Sequence, residues 1–219
     1  MTEYSLHQEI KTYYSIPGDK FEEPLNNYII DILRGQMAIE IQTKNFSAIK
    51  DKLKTLTKTH QVRLVYPLPE NRIITCTAKD NTVLYKRKSP RKGVLHDVFR
   101  ELVMVPGIIG SSNFSMEVLF VDEEEVRCAD GKGSWRRRGV SIKERRLLGV
   151  NRRILFESKN DFLMLLPDSL SRDFTNSELA QQAKIPLRVA RQITYCYRKS
   201  GLLSVAGKRG RAFIFRKNG

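Results

Sequence analysis

Residues 28–42, Tyr-Ile-Ile-Asp-Ile-Leu-Arg-Gly-Gln-Met-Ala-Ile-Glu-Ile-Gln, constrain the fold more than any other stretch of this chain. Two apolar runs flank Gly35-Gln36, and a two-residue loop with glycine first is what a type II′ hairpin turn requires. That turn sets the register and places Asp31 directly opposite Glu40, with Cβ atoms roughly 5 Å apart on one face. Gln42 shares that face, while Ile39 and Ile41 point to the other. An isolated Asp–Glu pair across a hairpin is ordinarily solvated edge chemistry. Here Ile29, Ile30, Ile32, Leu33, Met37, Ile39 and Ile41 make both faces apolar, as in strands covered on both sides. Carboxylates in such a setting need a partner, and a divalent cation neutralises two of them best. The hairpin therefore predicts a metal site on a sheet.

A chain of 219 residues, 41% hydrophobic and 29% charged, is ordinary for a globular protein of one large domain or two small ones. It has no apolar run near the roughly 18 residues of a membrane span, and Met-Thr-Glu-Tyr-Ser lacks an export signal. Cys76, Cys128 and Cys196 are odd in number and far apart, so they read as reduced thiols. His7, His60 and His96 fall in no ligand spacing and read as surface or helix-end residues. The expectation is a cytoplasmic protein with no membrane partner.

The formal charge of +15 is unevenly placed. Residues 1–129 hold 18 Lys and Arg against 17 Asp and Glu, whereas residues 130–219 hold 21 against 7. Concentrated basic charge marks a module that binds a polyanion. By itself it does not separate DNA from RNA or an acidic membrane.

The N-terminal third predicts a compact α/β unit. Glu3–Tyr14 carries Leu6, Ile10 and Tyr13 at helical spacing, and a short strand near Phe21–Leu25 precedes the hairpin. Asn45 suits the N-cap of a helix with the stripe Phe46, Ile49, Leu53 and Leu56. That helix leads to a strand, Val62–Tyr66, ended by Pro67 and parallel to the second hairpin strand.

The order helix, three-stranded meander, helix, strand resembles the common core of the PD-(D/E)xK nuclease superfamily, which includes restriction endonucleases and Holliday-junction resolvases. The resemblance covers residues 1–68. Asp31 and Glu40-Ile41-Gln42 match the family's strand motif, and Glu3, with Glu9 second, matches its helix acid. The resemblance implies catalysis by Asp31, Glu40, Gln42 and Glu3, with Mg²⁺ or Mn²⁺ held by Asp31, Glu40 and the Ile41 carbonyl. Most members have lysine where this chain has Gln42, which can orient water but carries no charge. Lys44, on the same face if the strand continues, is the expected substitute, with Lys50 second. No phosphate-binding glycine loop is present.

Residues 69–165 are less legible. Arg72–Thr77 and Val83–Tyr85 suggest short strands, followed by a basic loop at 86–93, a helix near Val94–Val103 and a strand at Ser115–Val121. Asp122–Glu125 reads as a solvated acidic turn. Trp135, in the run Gly131 to Gly139 with Arg136, Arg137 and Arg138, could stack on a base or pack in the core. Arg145, Arg146, Arg152 and Arg153 are further phosphate-contact candidates. Beyond this, Thr175-Asn176-Ser177-Glu178 is a capping box, Pro186 suits the first position of a second helix, and Gly201 ends that helix. Val189, Ile193, Cys196 and Tyr197 form its buried stripe. Leu202–Val205 and Ala212–Phe215 then suggest a hairpin with a basic tip.

Helix, turn, helix and basic hairpin resemble the winged helix-turn-helix family. That implies a DNA interface of Arg188, Arg191, Gln192, Tyr195 and Lys199 on the second helix and Lys208, Arg209 and Arg211 on the wing. The expected organisation is a nuclease-like α/β domain at 1–129, an αβββαβ restriction-endonuclease-like core with an extended middle region. A basic connection at 130–166 and a winged helix at 167–219 follow. The expected partner is double-stranded DNA, and a homodimer is left open. Two functions compete: a metal-dependent DNA endonuclease acting in restriction or mobile-element defence, and a non-catalytic DNA-binding regulator on a degraded nuclease fold.

Overall fold

The computed structural model describes residues 4–218. It is a mixed α/β structure whose seven-stranded sheet has the order β1-β2-β3-β4-β6-β7, with β5 on the distal half of β4. The elements are α1 (Tyr4–Tyr14), β1 (Lys20–Leu25), β2 (Tyr28–Arg34), β3 (Met37–Ile41), α2 (Lys50–Leu56) and β4 (Gln61–Thr77). They continue with β5 (Val83–Lys88), α3 (Phe99–Leu102), β6 (Phe114–Cys128) and β7 (Ser141–Phe156). A three-stranded sheet, β8 (Asp173–Phe174), β10 (Ala212–Lys217) and β9 (Leu203–Arg209), closes the chain with α4 (Asn176–Gln182) and α5 (Leu187–Lys199).

The hairpin has the expected register, with Ile32, Leu33 and Arg34 opposite Ile39, Ala38 and Met37. Gly35 has φ 58°, while Gln36 is not among the positive-φ residues, as a type II′ turn demands. β3 runs parallel to β4, also as expected. α1 buries Leu6, Ile10 and Tyr14 against Ile32, Ile39, Ile41, Val65, Leu119 and Val121 on one face of the sheet. Tyr14 takes the place expected for Tyr13, which is exposed, because i, i+4 steps from Leu6 run through Ile10 to Tyr14. The 3₁₀ segment Phe46–Ile49, α2 and α3 cover the other face through Phe46, Leu53, Leu56, Phe99 and Leu102.

Four expectations about strands and caps are corrected. β4 does not stop at Pro67 but continues to Thr77, pairing with β6 throughout. Val65 accepts from Gln42 on the β3 side, so Pro67 also faces that side, where β3 has already ended. Its missing N–H therefore interrupts no ladder. The acidic run is no turn: it lies within β6, where Glu123 and Glu125 are each 1% exposed. Arg72 lies 2.5 Å from Glu123, and Arg127 and Arg145 lie 2.6 and 3.0 Å from Glu125. Burial opposes ionisation of Glu125, but these arginines outweigh it and hold its pKa below the ordinary value. The expected connection at 130–166 contains β7, the outer strand of the sheet. Asn45 makes no side-chain cap; it turns the chain in the left-handed region, φ 57°, into a short 3₁₀ segment before α2.

The C-terminal unit follows its sequence signals closely. Thr175 and Glu178 form the capping box of α4, Val189, Ile193, Cys196 and Tyr197 are buried, and Gly201 has φ 77° just past α5. Pro186 is the N-cap rather than the first helical residue. The hairpin strands run longer than expected, so Lys208 and Arg209 are strand residues and Gly210-Arg211 is the turn. The α5 stripe packs into the main core: the rings of Phe99 and Tyr197 meet edge to face at 5.5 Å, and the Tyr197 hydroxyl donates to the Phe162 carbonyl.

A core shared in this way predicts coupled unfolding. Ile193→Ala should destabilise the chain by about 2–5 kcal/mol, and hydrogen exchange should accelerate in β4 and β6 as well as in α5. Loss of protection confined to residues 167–218 would mean that this unit unfolds by itself.

Candidate functional site

Ile30 and Ile32, two residues apart, pack into opposite cores. β2 therefore changes face at Asp31, where both of its ladders are interrupted. The β2–β3 ladder stops at Ile32 and Ile39, and the β1–β2 ladder omits the Glu22–Asp31 pair, with Glu22 at φ 53°. The direct Asp31–Glu40 ladder pair expected from sequence is thus replaced by a splayed strand end. The Asp31 carboxylate moves into the gap, where Oδ2 accepts the Ile41 N–H at 2.8 Å. Backbone N–H and C=O of one strand residue point to the same edge, so the Ile41 carbonyl also faces this gap.

Two further side chains arrive from opposite layers. From α1, His7 Nε2 lies 3.2 Å from Asp31 Oδ2. An ionised carboxylate only accepts, so Nε2 carries the proton in this contact. From α2, Lys52 Nζ lies 2.5 Å from Glu40 Oε1 and donates to the Ile29 carbonyl. The Glu40 contact is an ion pair without hydrogen-bond alignment, which leaves Oε1 buried and short of an aligned donor. Sequence reasoning placed His7 at the surface or a helix end and gave Lys52 no role. Their convergence follows from the register of two helices against one strand end, which only packing supplies.

The electrostatics separate the two carboxylates. Burial works against ionisation of Asp31, but the hydrogen bonds from His7 and Ile41 prevail and hold its pKa below the ordinary value. Burial pushes Glu40 up to about 7, the charge of Asp31 adds to this, and Lys52 and the Asp31 backbone N–H offset only part of it. Around neutral pH the pair therefore holds one firmly ionised group and one close to its midpoint.

Several expected site residues lie elsewhere. Glu3 is outside the described residues. Glu9 accepts the Leu147 N–H on β7 and does not face the carboxylates. β3 ends at Ile41, so the premise that put residues 40, 42 and 44 on one face fails. The chain leaves the sheet to make the left-handed turn at Asn45. Gln42 directs its amide N–H groups to the Lys44 and Asn45 carbonyls, at 2.5 and 3.3 Å, and so fixes that turn. Lys44 instead lines a cavity of about 310 Å³ with Arg72, Arg91, Arg100 and Arg145. Among the described residues no cluster of three or more His, Cys, Asp and Glu side chains forms a metal site, so any ion here would rest on two carboxylates, backbone and water.

The basic surface gathers residues from distant parts of the sequence. Arg188, Arg191, Tyr195 and Lys199 are exposed on α5, and Gln192 is half-buried with its Oε1 unpartnered. Tyr195 and Lys199 border one groove with Lys50, Lys54 and Lys58 of the α2 region. On the hairpin, Arg209 pairs with Glu178 at 2.8 Å and Lys208 lies over the Phe213 ring, while Arg211 is exposed in the turn. Among the described residues no helix is long and apolar enough to cross a membrane.

The raised pKa of Glu40 has a defined sign in stability. Its contribution is fully present below the ordinary value of 4.5 and is lost as pH rises through about 7. Glu40→Gln should therefore leave stability near pH 4.5 almost unchanged and raise it at pH 8 by about 1–3 kcal/mol. Denaturant titrations at the two pH values measure this, and an equal effect at both would reject the assignment.

Three comparisons with known proteins bear on this chain. An uncharacterized protein of Treponema pallidum (strain Nichols) is 29% identical over 217 residues, covering 98% of this chain and 85% of the relative. No solved structure matches. Residues 4–157, from α1 to the end of β7, match the family described as Domain of unknown function (DUF8091). They carry the seven-stranded sheet with both carboxylates, and the chain belongs to that family.

Proposed function

We propose that this protein is a Mg²⁺- or Mn²⁺-dependent DNA endonuclease. In this reading the first part of the sheet is a restriction-endonuclease-like αβββαβ core, and residues 167–219 are a winged helix that grips duplex DNA. The observation that carries the reading is the splayed strand end, where the half-buried Asp31 and the buried Glu40 come together beside Lys52. A nuclease of this kind needs two hard oxygen ligands and a cation near them.

The residues present fit such an ion. Asp31, Glu40 and the Ile41 carbonyl are hard oxygen donors, and Glu40 Oε1 is buried without an aligned donor. When bound, Mg²⁺ or Mn²⁺ lowers the pKa of a coordinated water and neutralises charge on the scissile phosphate. Asp31 is held ionised by His7 and the Ile41 N–H, so it is ready to coordinate. Lys52 supplies the cation that the Glu40-Ile41-Gln42 motif lacks. Its ammonium stays at Glu40, where it can orient the attacking water and stabilise negative charge on phosphate. Gln42 acts indirectly, by fixing the turn after β3. The cavity beside that turn has a mixed lining, in which Arg72, Arg91 and Arg145 are paired with Glu123, Asp97 and Glu125.

Binding rests on α5 and the α2 lysines. Arg188, Arg191 and Lys199 with Lys50, Lys54 and Lys58 form a basic surface built from separate segments, as phosphate contact requires. Lys208 and Arg211 are further exposed cations on the hairpin. The second reading, a non-catalytic DNA-binding regulator, is favoured by one observation: Gln42 replaces the family's lysine and turns its amide to the loop.

Supercoiled plasmid nicking separates the two. The protein should nick plasmid with Mg²⁺ or Mn²⁺ and not with EDTA, and Asp31→Asn should abolish nicking while leaving the fold intact. Lys52→Ala should slow nicking about a hundredfold, the effect of removing about 3 kcal/mol of charge stabilisation. Intact DNA binding with no metal-dependent nicking would leave the regulator. Arg188→Ala combined with Arg191→Ala should lower duplex affinity and reduce the slope of log K against log salt by about 0.9 for each phosphate that is no longer neutralised. An unchanged affinity and slope would remove α5 from the interface.

A further inference from the structure

Trp135 is the single tryptophan of the chain, and it is 89% exposed at the tip of the β6–β7 turn. A large aromatic left in water on a rigid mount calls for a ligand. The mount is closely specified. The Asp130 carboxylate accepts the Lys132 N–H at 2.9 Å and the Ser141 hydroxyl at 2.7 Å, tying the two ends of the turn together. Gly133 N–H donates to the Gly139 carbonyl at 2.8 Å, and Arg138 N–H donates to the Trp135 carbonyl at 2.9 Å. A Cβ at position 133 would lie 1.8 Å from the Val140 carbonyl oxygen, so only glycine closes the turn. Gly139 adopts φ 78° and Arg138 φ 50°. The ring is thus presented by a folded platform.

The surroundings select the ligand. Lys132, Arg136 and Arg138 are exposed on the same turn, and Arg137 is half-buried with its Nε donating to the Val140 carbonyl. Apart from Asp130, whose carboxylate is engaged within the turn, residues 130–143 contain no acidic side chain. One exposed aromatic face on a turn rich in exposed cations is complementary to a base flanked by phosphates. A lipid surface would call for several apolar side chains on one face, whereas the neighbours of this ring are Ser134 and Arg136.

We propose that Trp135 is a base-stacking platform for an unpaired nucleobase, with Lys132, Arg136 and Arg138 on the adjoining phosphates. An unpaired base is specified because a ring at a blunt tip reaches a base face only where the duplex is open. The stacking site stands independently of the nuclease reading. Joined to it, the geometry narrows the substrate. β4 continues for about a dozen residues beyond Val65, the level of the carboxylates, to Thr77 at the base of this turn. That span is up to about 40 Å at 3.3 Å per residue. The corresponding substrate has a single-stranded stretch roughly one helical turn from the duplex bound at the carboxylates.

The fluorescence of Trp135 reads the proposal directly. The full-length protein in EDTA is titrated with oligothymidylate, with a blunt duplex of equal length, and with vesicles of phosphatidylserine and phosphatidylcholine. Binding is followed in parallel by anisotropy of labelled oligonucleotide. Single strand should quench the emission saturably, and more strongly than duplex. Trp135→Ala should weaken single-strand affinity about tenfold without lowering the melting temperature, and Trp135→Phe should recover part of the loss. Unchanged emission at saturating single strand, or an affinity unchanged in Trp135→Ala, would overturn the proposal. So would an emission shift produced by vesicles and not by DNA. Quenching that persists in a protein without nicking activity would support the platform and sink only the nuclease.

Discussion

The long parallel pairing of β4 with β6, from Val62 and Phe114 to Thr77 and Cys128, is the constraint on which the rest of the structure depends. One edge of this pair takes β3 and then β5, and the other takes β7 along its whole length. Its apolar first half carries α1 on one face and α2, α3 and α5 on the other. Its second half is polar, and there the buried glutamates of β6 are matched by arginines from β4, β6 and β7. Removing one arginine from this group would leave a carboxylate uncompensated, which costs several kcal/mol in an interior. The extended arm therefore depends on complete charge pairing where the rest of the sheet depends on apolar contact.

The same need to compensate buried charge shapes the candidate site. A covered hairpin would exclude carboxylates, yet β2 and β3 hold two by opening their ladder for one step. Asp31 then takes a backbone donor in place of a strand partner and is stabilised as an ion. Glu40 receives less compensation, because its ion pair with Lys52 is poorly aligned and Asp31 is nearby. The result is a fold that tolerates the pair while leaving it short of positive charge. That shortfall is what a divalent cation, or a proton at lower pH, would relieve.

The C-terminal helices add a second layer to this plan. Tyr197 and Ile193 bind α5 into the core over α3, and this fixes its outer face relative to the lysines of α2. The residues of α2 thereby serve two surfaces. Lys52 turns inward to Glu40, whereas Lys50 and Lys54, four residues apart on one helical face, turn toward the groove with α5. The carboxylate pair and the basic groove are linked through one short helix.

Much of this was legible in the residues themselves. The Gly35-Gln36 turn fixed the hairpin register because only glycine accepts the required φ without strain, and the capping box, Gly201 and the α5 stripe fixed the C-terminal helices for similarly local reasons. The sequence by itself thus determined the first hairpin and the C-terminal helices, and it singled out Asp31 and Glu40, whereas β7 and the distal halves of β4 and β6 were not legible in it. Tertiary structure alone decided what surrounds them. Whether an acidic run is a solvated turn or a buried strand depends on arginines about twenty and fifty residues away. Whether Lys44 or Lys52 reaches Glu40 depends on where β3 ends and how α2 packs. These are long-range pairings between side chains of ordinary local pattern, and no periodicity within one segment encodes them.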